Sequence, residues 1–162
     1  NVPDFVGAMN AKAQELGMID SHFVDPSGVE AGNTASAHDL YTLITAAYSR
    51  PEIAETTQMP EDSFAIQNRK RTVWLASTNR LLDSFINQAP YQVLGAKTGF
   101  LEEAGYCMTI KARYNDQRNL SLILLGANEQ TDRWQEVKGV LDWVLRNYEW
   151  PETSQKDLAY RK

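Results

Sequence analysis

Leu94-Gly95-Ala96-Lys97-Thr98-Gly99-Phe100 lies near the middle of the chain, at the end of a short apolar run that begins at Tyr91. An apolar run entering two glycines reads as a strand, and lysine and threonine at consecutive strand positions point to opposite faces. Gly99 can take conformations closed to other residues and lets another backbone approach closely. A cation, a hydroxyl and an accessible strand backbone suit a peptide that ends in a carboxylate. A strand end with an ordinary solvated lysine fits the same three residues, so the segments on either side must decide.

Downstream, the pattern is that of a sheet. Tyr106 to Tyr114 alternates, with Met108, Ile110 and Ala112 on one face and Thr109, Lys111 and Arg113 on the other. Residues 115–119 form a hairpin connection, and Leu120 to Leu125 is apolar at nearly every position, as in a strand covered on both faces. A helix over about 131–147 presents Trp134, Val137, Leu141, Val144, Leu145 and Tyr148, and Pro151 ends it. The polar stretch 151–162 reads as a tail or linker.

Upstream, residues 3–16 carry a helical stripe of Phe5, Val6, Met9, Ala13 and Leu16, with Gly17 as the stop. Residues 18–34 are rich in turn formers, with Phe23 and Val24 tucked beneath the loop. Ser36 and Asp39 form a capping box in which Asp39 reaches back, ahead of a helix striped with Leu40, Leu43, Ile44, Ala47 and Tyr48. A helical turn over 51–57 follows. A small hairpin then pairs Phe64-Ala65-Ile66 with Thr72-Val73-Trp74-Leu75 around a solvated basic tip, Arg69-Lys70-Arg71.

The totals fit one domain of 162 residues with 43% apolar residues and a formal charge of −5, which disfavours a nucleic-acid partner. Cys107 is the single cysteine, so no internal disulfide can form. His22 and His38 have no acidic or thiol cluster at ligand spacing, so no metal is expected. No 18-residue apolar run or secretion signal occurs in the chain. The strand Leu120–Leu125 has no evident partner on its far edge, and an open apolar edge invites pairing. We read this as a sign that strands lie outside the chain, which starts at Asn1 rather than at a methionine.

Phe5-Val6-x-x-Met9-Asn10-x-Lys12-Ala13, Leu16-Gly17-Met18, Phe23, Pro26 and Gly28 open an ordered set of segments. Ser36-Ala37-x-Asp39-Leu40, Thr78-Asn79-x-Leu81-Leu82, Lys97-Thr98-Gly99-Phe100 and Ala104-Gly105-Tyr106-Cys107 continue it. Over residues 5–147 the set resembles the low-molecular-weight penicillin-binding proteins, the serine-type D-alanyl-D-alanine carboxypeptidases and related endopeptidases. The resemblance implies an α/β (α+β) fold of the β-lactamase and penicillin-binding-protein type, an antiparallel sheet with flanking helices. Residues 1–150 would be its C-terminal portion, without the N-terminal strands and the nucleophile helix.

It also implies a division of labour at the site. Lys97, Thr98 and Gly99 would serve catalysis by binding the terminal carboxylate of a D-Ala-D-Ala stem peptide, or of a β-lactam that mimics it. Gly99 would leave room for the substrate strand, and the Phe100 N–H would be one half of the oxyanion hole. No cofactor is implied. No serine here has a lysine three positions on, so the nucleophile and its activating amine would lie upstream of Asn1, and the chain alone is expected to be inactive. Ser77-Thr78-Asn79 matches a second family motif by letter but aligns with the Asn-Thr-Asn-x-Leu-Leu segment, and we read it as a coincidence. Phe100 and Leu101 stand where relatives often have tyrosine or histidine and then threonine, which leaves carboxypeptidase and endopeptidase action both open. The resemblance implies an extracytoplasmic protein and allows a membrane-associated parent.

His22 and His38 are a loop and a first-turn residue, Asp25-Pro26-Ser27-Gly28 is no nucleophile turn, and Cys107 is a small buried apolar residue. Trp134, Trp143 and Trp150 pack the core and interfaces. A non-catalytic binding module that self-associates through the Leu120–Leu125 edge, and a β-lactamase-related hydrolase fragment, are the alternative functions.

Overall fold

The computed structural model describes residues 1–115 and 118–148, so Trp150, Pro151 and the expected tail lie outside the described residues. Helix α1 (Val2–Glu15) starts under an Asn1 cap that accepts the Asp4 N–H, and Gly17 at φ +78° follows it in the left-handed region that favours glycine. Only Ala13 of its stripe is fully buried, and Phe5 is exposed. Asn10 explains why this helix and the following loop belong together. Its side chain donates to the Phe23 carbonyl (2.7 Å) and accepts the Phe23 N–H (2.9 Å), closing both backbone groups of one loop residue.

Beyond the buried Met18, the loop is organised by polar groups. The Asp25 carboxylate accepts from the Ser27 hydroxyl and backbone N–H, the Gly28 and Glu30 N–H groups and the Asn33 amide. These donors, the Ser27 hydroxyl foremost, hold the Asp25 carboxyl well below its ordinary range, against the opposing effect of burial. Phe23 is half-buried, but Val24 is exposed, because its N–H and that of Asp25 turn inward to Asn33 Oδ1.

Helix α2 (Ala37–Ala47) has half of the expected capping box. Ser36 Oγ accepts the Asp39 N–H at 3.1 Å, but the buried Asp39 carboxylate does not return the bond. It accepts instead from the Asp20 N–H and the Ser21 hydroxyl, tying α2 to the loop. Burial raises this carboxyl, and the Ser21, Asp20 and His38 donors more than offset it, so its pKa is lowered. Helix α3 (Pro51–Gln58) follows, then the hairpin β1 (Glu61–Ala65) and β2 (Thr72–Ala76), which presents Phe64, Trp74 and Leu75 to solvent.

Two short 3-10 segments, Arg80–Asp83 and Phe85–Asn87, bury Leu81, Leu82 and Ile86 beside the main sheet. That sheet is antiparallel in the order β3 (Tyr91–Leu101), β4 (Gly105–Tyr114), β5 (Arg118–Ala127). Residues directly opposite share a face. Met108, Ile110 and Ala112 pack on Trp134, Val137 and Leu141 of α4 (Gln130–Asn147), while α2 and α3 lie over the other side. Tyr148 and Trp143 form an edge-on pair on the outside of the protein, not in the core. Among the described residues β5 pairs only with β4, as expected for the apolar run Leu120–Leu125.

Candidate functional site

Among the described residues β3 pairs only with β4, and every predicted site residue lies on this edge strand. A bulge between Val93 and Gly95 shifts its register, and α3 secures the bulge: Gln58 Nε2 donates to the Leu94 carbonyl at 3.1 Å. Gly95 is fully buried, and a Cβ there would meet the Tyr48 ring at 2.7 Å, so glycine at this position lets α2 seat against the sheet. The start of the strand is pinned to α4, where Tyr91 donates to Asp142 at 2.5 Å and Arg146 holds the same oxygen at 2.8 Å. These two donors, Tyr91 first, lower the Asp142 pKa.

Past the bulge the strand alternates as expected. Lys97 stands opposite Thr109 on the α2 side, and Thr98 stands opposite Met108 on the α4 side. Only a ligand lying along the open edge can therefore touch both. Lys97 is exposed, and its ammonium donates to the Thr98 carbonyl at 2.5 Å. Thr98 is half-buried, and its hydroxyl lies 2.9 Å from that of Thr78 in an exposed contact. Gly99 does not use the left-handed conformations open to glycine. Among the described residues a Cβ on it would meet only Cys107 Cβ, at 3.9 Å, so none of them requires glycine here. The space it leaves faces outward. Phe100 is half exposed and stacks on Tyr106 with ring centroids 4.3 Å apart.

Between α2 and the sheet runs an apolar groove of about 410 Å³, lined by Leu40, Leu43, Tyr48, Thr109 and Leu125 and reaching Lys97 to Gly99. Cys107 lines it too, so the thiol is half-buried at the site rather than lost in the core. A larger depression of about 660 Å³ lies at the opposite end of β3, around Pro90, Tyr91 and Arg113, and gathers none of the predicted residues. His22 sits in a bridge to Thr34 and His38 in the first turn of α2, and neither lines the groove.

Two residues emerge that the sequence reading did not assign. Arg133 is buried in the first turns of α4, stacked over Trp134 (4.4 Å) and Tyr106 (5.5 Å). Its Nη1 donates to the Gly99 carbonyl at 3.1 Å and to that of Cys107 at 3.4 Å. Cys107 has no partner in the β4–β5 register, and the guanidinium fills that irregularity. Burial lowers the pKa of Arg133. The signal was present in its spacing: positions 133, 137, 141 and 145 form one buried stripe, and an arginine on it needs acceptors. The other residue is Thr78. Around it, Ser77 Oγ accepts the Asn79 N–H, and the buried Asn79 caps the first 3-10 segment through the Leu81 N–H. No feature of the sequence joins Thr78 to Thr98.

A family model described as D-alanyl-D-alanine carboxypeptidase matches residues 1–129. A D-alanyl-D-alanine carboxypeptidase of Bacillus subtilis (DacF) is 33% identical over 147 residues, 90% of this chain and 36% of the relative. A D-alanyl-D-alanine endopeptidase of Pseudomonas aeruginosa is 31% identical over 140 residues, 86% of this chain and 44% of the relative. The chain thus spans less than half the length of these curated relatives. Among solved structures, penicillin-binding protein D2 of Listeria monocytogenes in its cefotaxime-bound form superposes with a TM-score of 0.70 at 31% identity, covering 86% of this chain and 54% of that one. A D-alanyl-D-alanine carboxypeptidase of Mycobacterium tuberculosis gives a TM-score of 0.74 at 27% identity, covering 92% and 55%. The expected mix of helices and antiparallel sheet is therefore that of the penicillin-binding proteins. On the match across residues 1–129 and these relatives, the chain belongs to the D-alanyl-D-alanine carboxypeptidase family.

Proposed function

We propose that this chain supplies the substrate-binding edge of a serine-type D-Ala-D-Ala peptidase, a carboxypeptidase or D,D-endopeptidase that works through an acyl-enzyme. The observation that carries the reading is the free edge of β3, where Lys97, Thr98, Gly99 and Phe100 follow one another with open space over Gly99. A stem peptide ending in D-Ala-D-Ala adds to this edge as an extra strand. Its terminal carboxylate takes the Lys97 ammonium from the Thr98 carbonyl, because an ion-paired hydrogen bond is stronger than one to a neutral oxygen. The Thr98 hydroxyl donates to the same carboxylate, and the Phe100 N–H faces the oxygen that becomes negative in acyl transfer. A β-lactam carries a carboxylate of the same kind, and the relative bound to cefotaxime supports this extension.

Residues 1–150 act in this reading as the C-terminal portion of one penicillin-recognising domain. The sequence holds no Ser-x-x-Lys pair, so these 162 residues bind but do not cut. The same fact favours, as a second reading, a non-catalytic binding or self-associating module. A peptidoglycan substrate places the protein outside the cytoplasm; no helix among the described residues is long and apolar enough to cross a membrane.

Titration of the 15N-labelled chain with diacetyl-Lys-D-Ala-D-Ala tests the reading. Amide shifts confined to residues 97–100 and their β4 neighbours, lost in Lys97→Ala, are expected; no shifts at that edge would overturn it. Incubation with a fluorescent penicillin should leave the chain unlabelled, and a covalent adduct would refute the proposed division of labour.

A further inference from the structure

We propose that Thr78 is a positioning residue for carboxylate recognition, acting by orienting the hydroxyl of Thr98. This inference rests on the carboxylate-binding reading of the β3 edge and adds to it a residue from outside that strand. The two hydroxyl oxygens lie 2.9 Å apart across a sequence separation of 20 residues. Thr78 is not on a loose loop. Ser77 Oγ holds the Asn79 N–H at 3.1 Å, and Asn79 Oδ1 holds the Leu81 N–H at 3.1 Å. Leu81 and Leu82 are buried in the same cluster as Met108, the residue opposite Thr98. The loop that presents one hydroxyl and the strand that presents the other are thus fixed to one core.

The chemistry then selects a direction. A hydroxyl has one proton to give and two lone pairs to accept with. A carboxylate only accepts, so Thr98 must spend its proton on the ligand. When it does, the contact with Thr78 survives only if Thr78 donates to Thr98. The bound state is therefore a chain from Thr78 to Thr98 to carboxylate, in which each bond polarises the next. With Thr78 absent, the Thr98 hydroxyl loses the partner that aims it, and its rotation must be arrested by the ligand alone. Lys97, on the opposite face of the strand, provides charge but no such aim.

The test uses the whole chain and the peptide diacetyl-Lys-D-Ala-D-Ala, with affinity read by NMR titration of wild type, Thr78→Val, Thr78→Ser and Thr98→Val. Thr78→Val keeps the branched shape and removes the hydroxyl. It should weaken binding by about 3- to 10-fold, the worth of one ordinary hydrogen bond. Thr78→Ser restores a hydroxyl and should bind within about 2-fold of wild type, a rescue that a packing role for the γ-methyl would not give. In the double variant Thr78→Val/Thr98→Val the first substitution should have no further effect. Wild-type affinity in Thr78→Val would overturn the proposal while leaving the carboxylate reading intact. Weakening in Thr78→Ser equal to or greater than that in Thr78→Val would overturn it, because serine keeps the hydroxyl and lacks only the methyl. Failure of the wild-type chain to bind the peptide would overturn the reading of the edge and this inference with it. The unperturbed amide spectrum of each variant away from residues 77–79 and 97–99 checks that the fold is kept.

Discussion

Replacing Arg133 by methionine tests whether the far end of β3 is held from α4. Methionine keeps an unbranched apolar stem against Trp134 and Tyr106 but removes every donor. The Gly99 carbonyl then loses a charged donor at 3.1 Å, and the Cys107 carbonyl loses a weaker one at 3.4 Å. Hydrogen bonds to charged groups are worth about 1.5–3 kcal/mol each, and the longer contact counts for less. The guanidinium over two aromatic rings adds about 0.5–2 kcal/mol. Against these stands the cost of burying a charge, increased here because Arg133 Nε has no hydrogen-bond partner among the described residues. The balance is a net loss of about 2–3 kcal/mol. For a chain of this size each kcal/mol moves the melting midpoint by about 2–4 °C, so it should fall by roughly 4–12 °C. Arg133→Lys keeps the charge without the planar fork and should fall in between. Thermal unfolding followed by near-ultraviolet circular dichroism reads the shift. A midpoint for Arg133→Met within about 1 °C of wild type would show that the clamp contributes nothing to the strand it touches.

Gly95→Ala sets a Cβ 2.7 Å from the Tyr48 ring, and urea unfolding should show a loss of about 1–3 kcal/mol as α2 is pushed off the sheet. An unchanged midpoint would mean that Tyr48 yields freely. Asp25→Asn should melt below wild type at neutral pH, because the carboxylate that gathers the loop is gone. The native pKa of Asp25 lies below its ordinary value of 3.8, so its stabilisation is present above that value and is lost as pH falls through the native one. The gap between the two proteins should accordingly narrow in acid, and a gap independent of pH would refute the loop's dependence on this charge. The open edge of β5 predicts concentration-dependent self-association in sedimentation equilibrium, and a monodisperse monomer at high concentration would refute it.

Local pattern was enough wherever one residue type in one place answers to one physical demand. The alternation of Tyr106 to Tyr114 and the stripe of Trp134, Val137, Leu141 and Leu145 prescribe a strand and a helix, because periodicity decides which residues can share a buried face. The ordered segments around Lys97-Thr98-Gly99 led to the family, and the open far edge of Leu120–Leu125 was visible as an imbalance in the sequence itself. What the sequence could not show is how polar groups distant along the chain satisfy one another. Asp39 read as half of a capping box, yet its carboxylate serves the loop at Asp20 and Ser21. Thr78 read as one letter of a coincidental motif, yet its hydroxyl meets that of Thr98. Arg133 has no role in the sequence reading, yet it anchors the carbonyl of Gly99. Hydrophobic burial has a period and so leaves a trace in sequence. A hydrogen bond from a side chain to a group 20 or 34 residues away has none, and only the packed tertiary structure decides it.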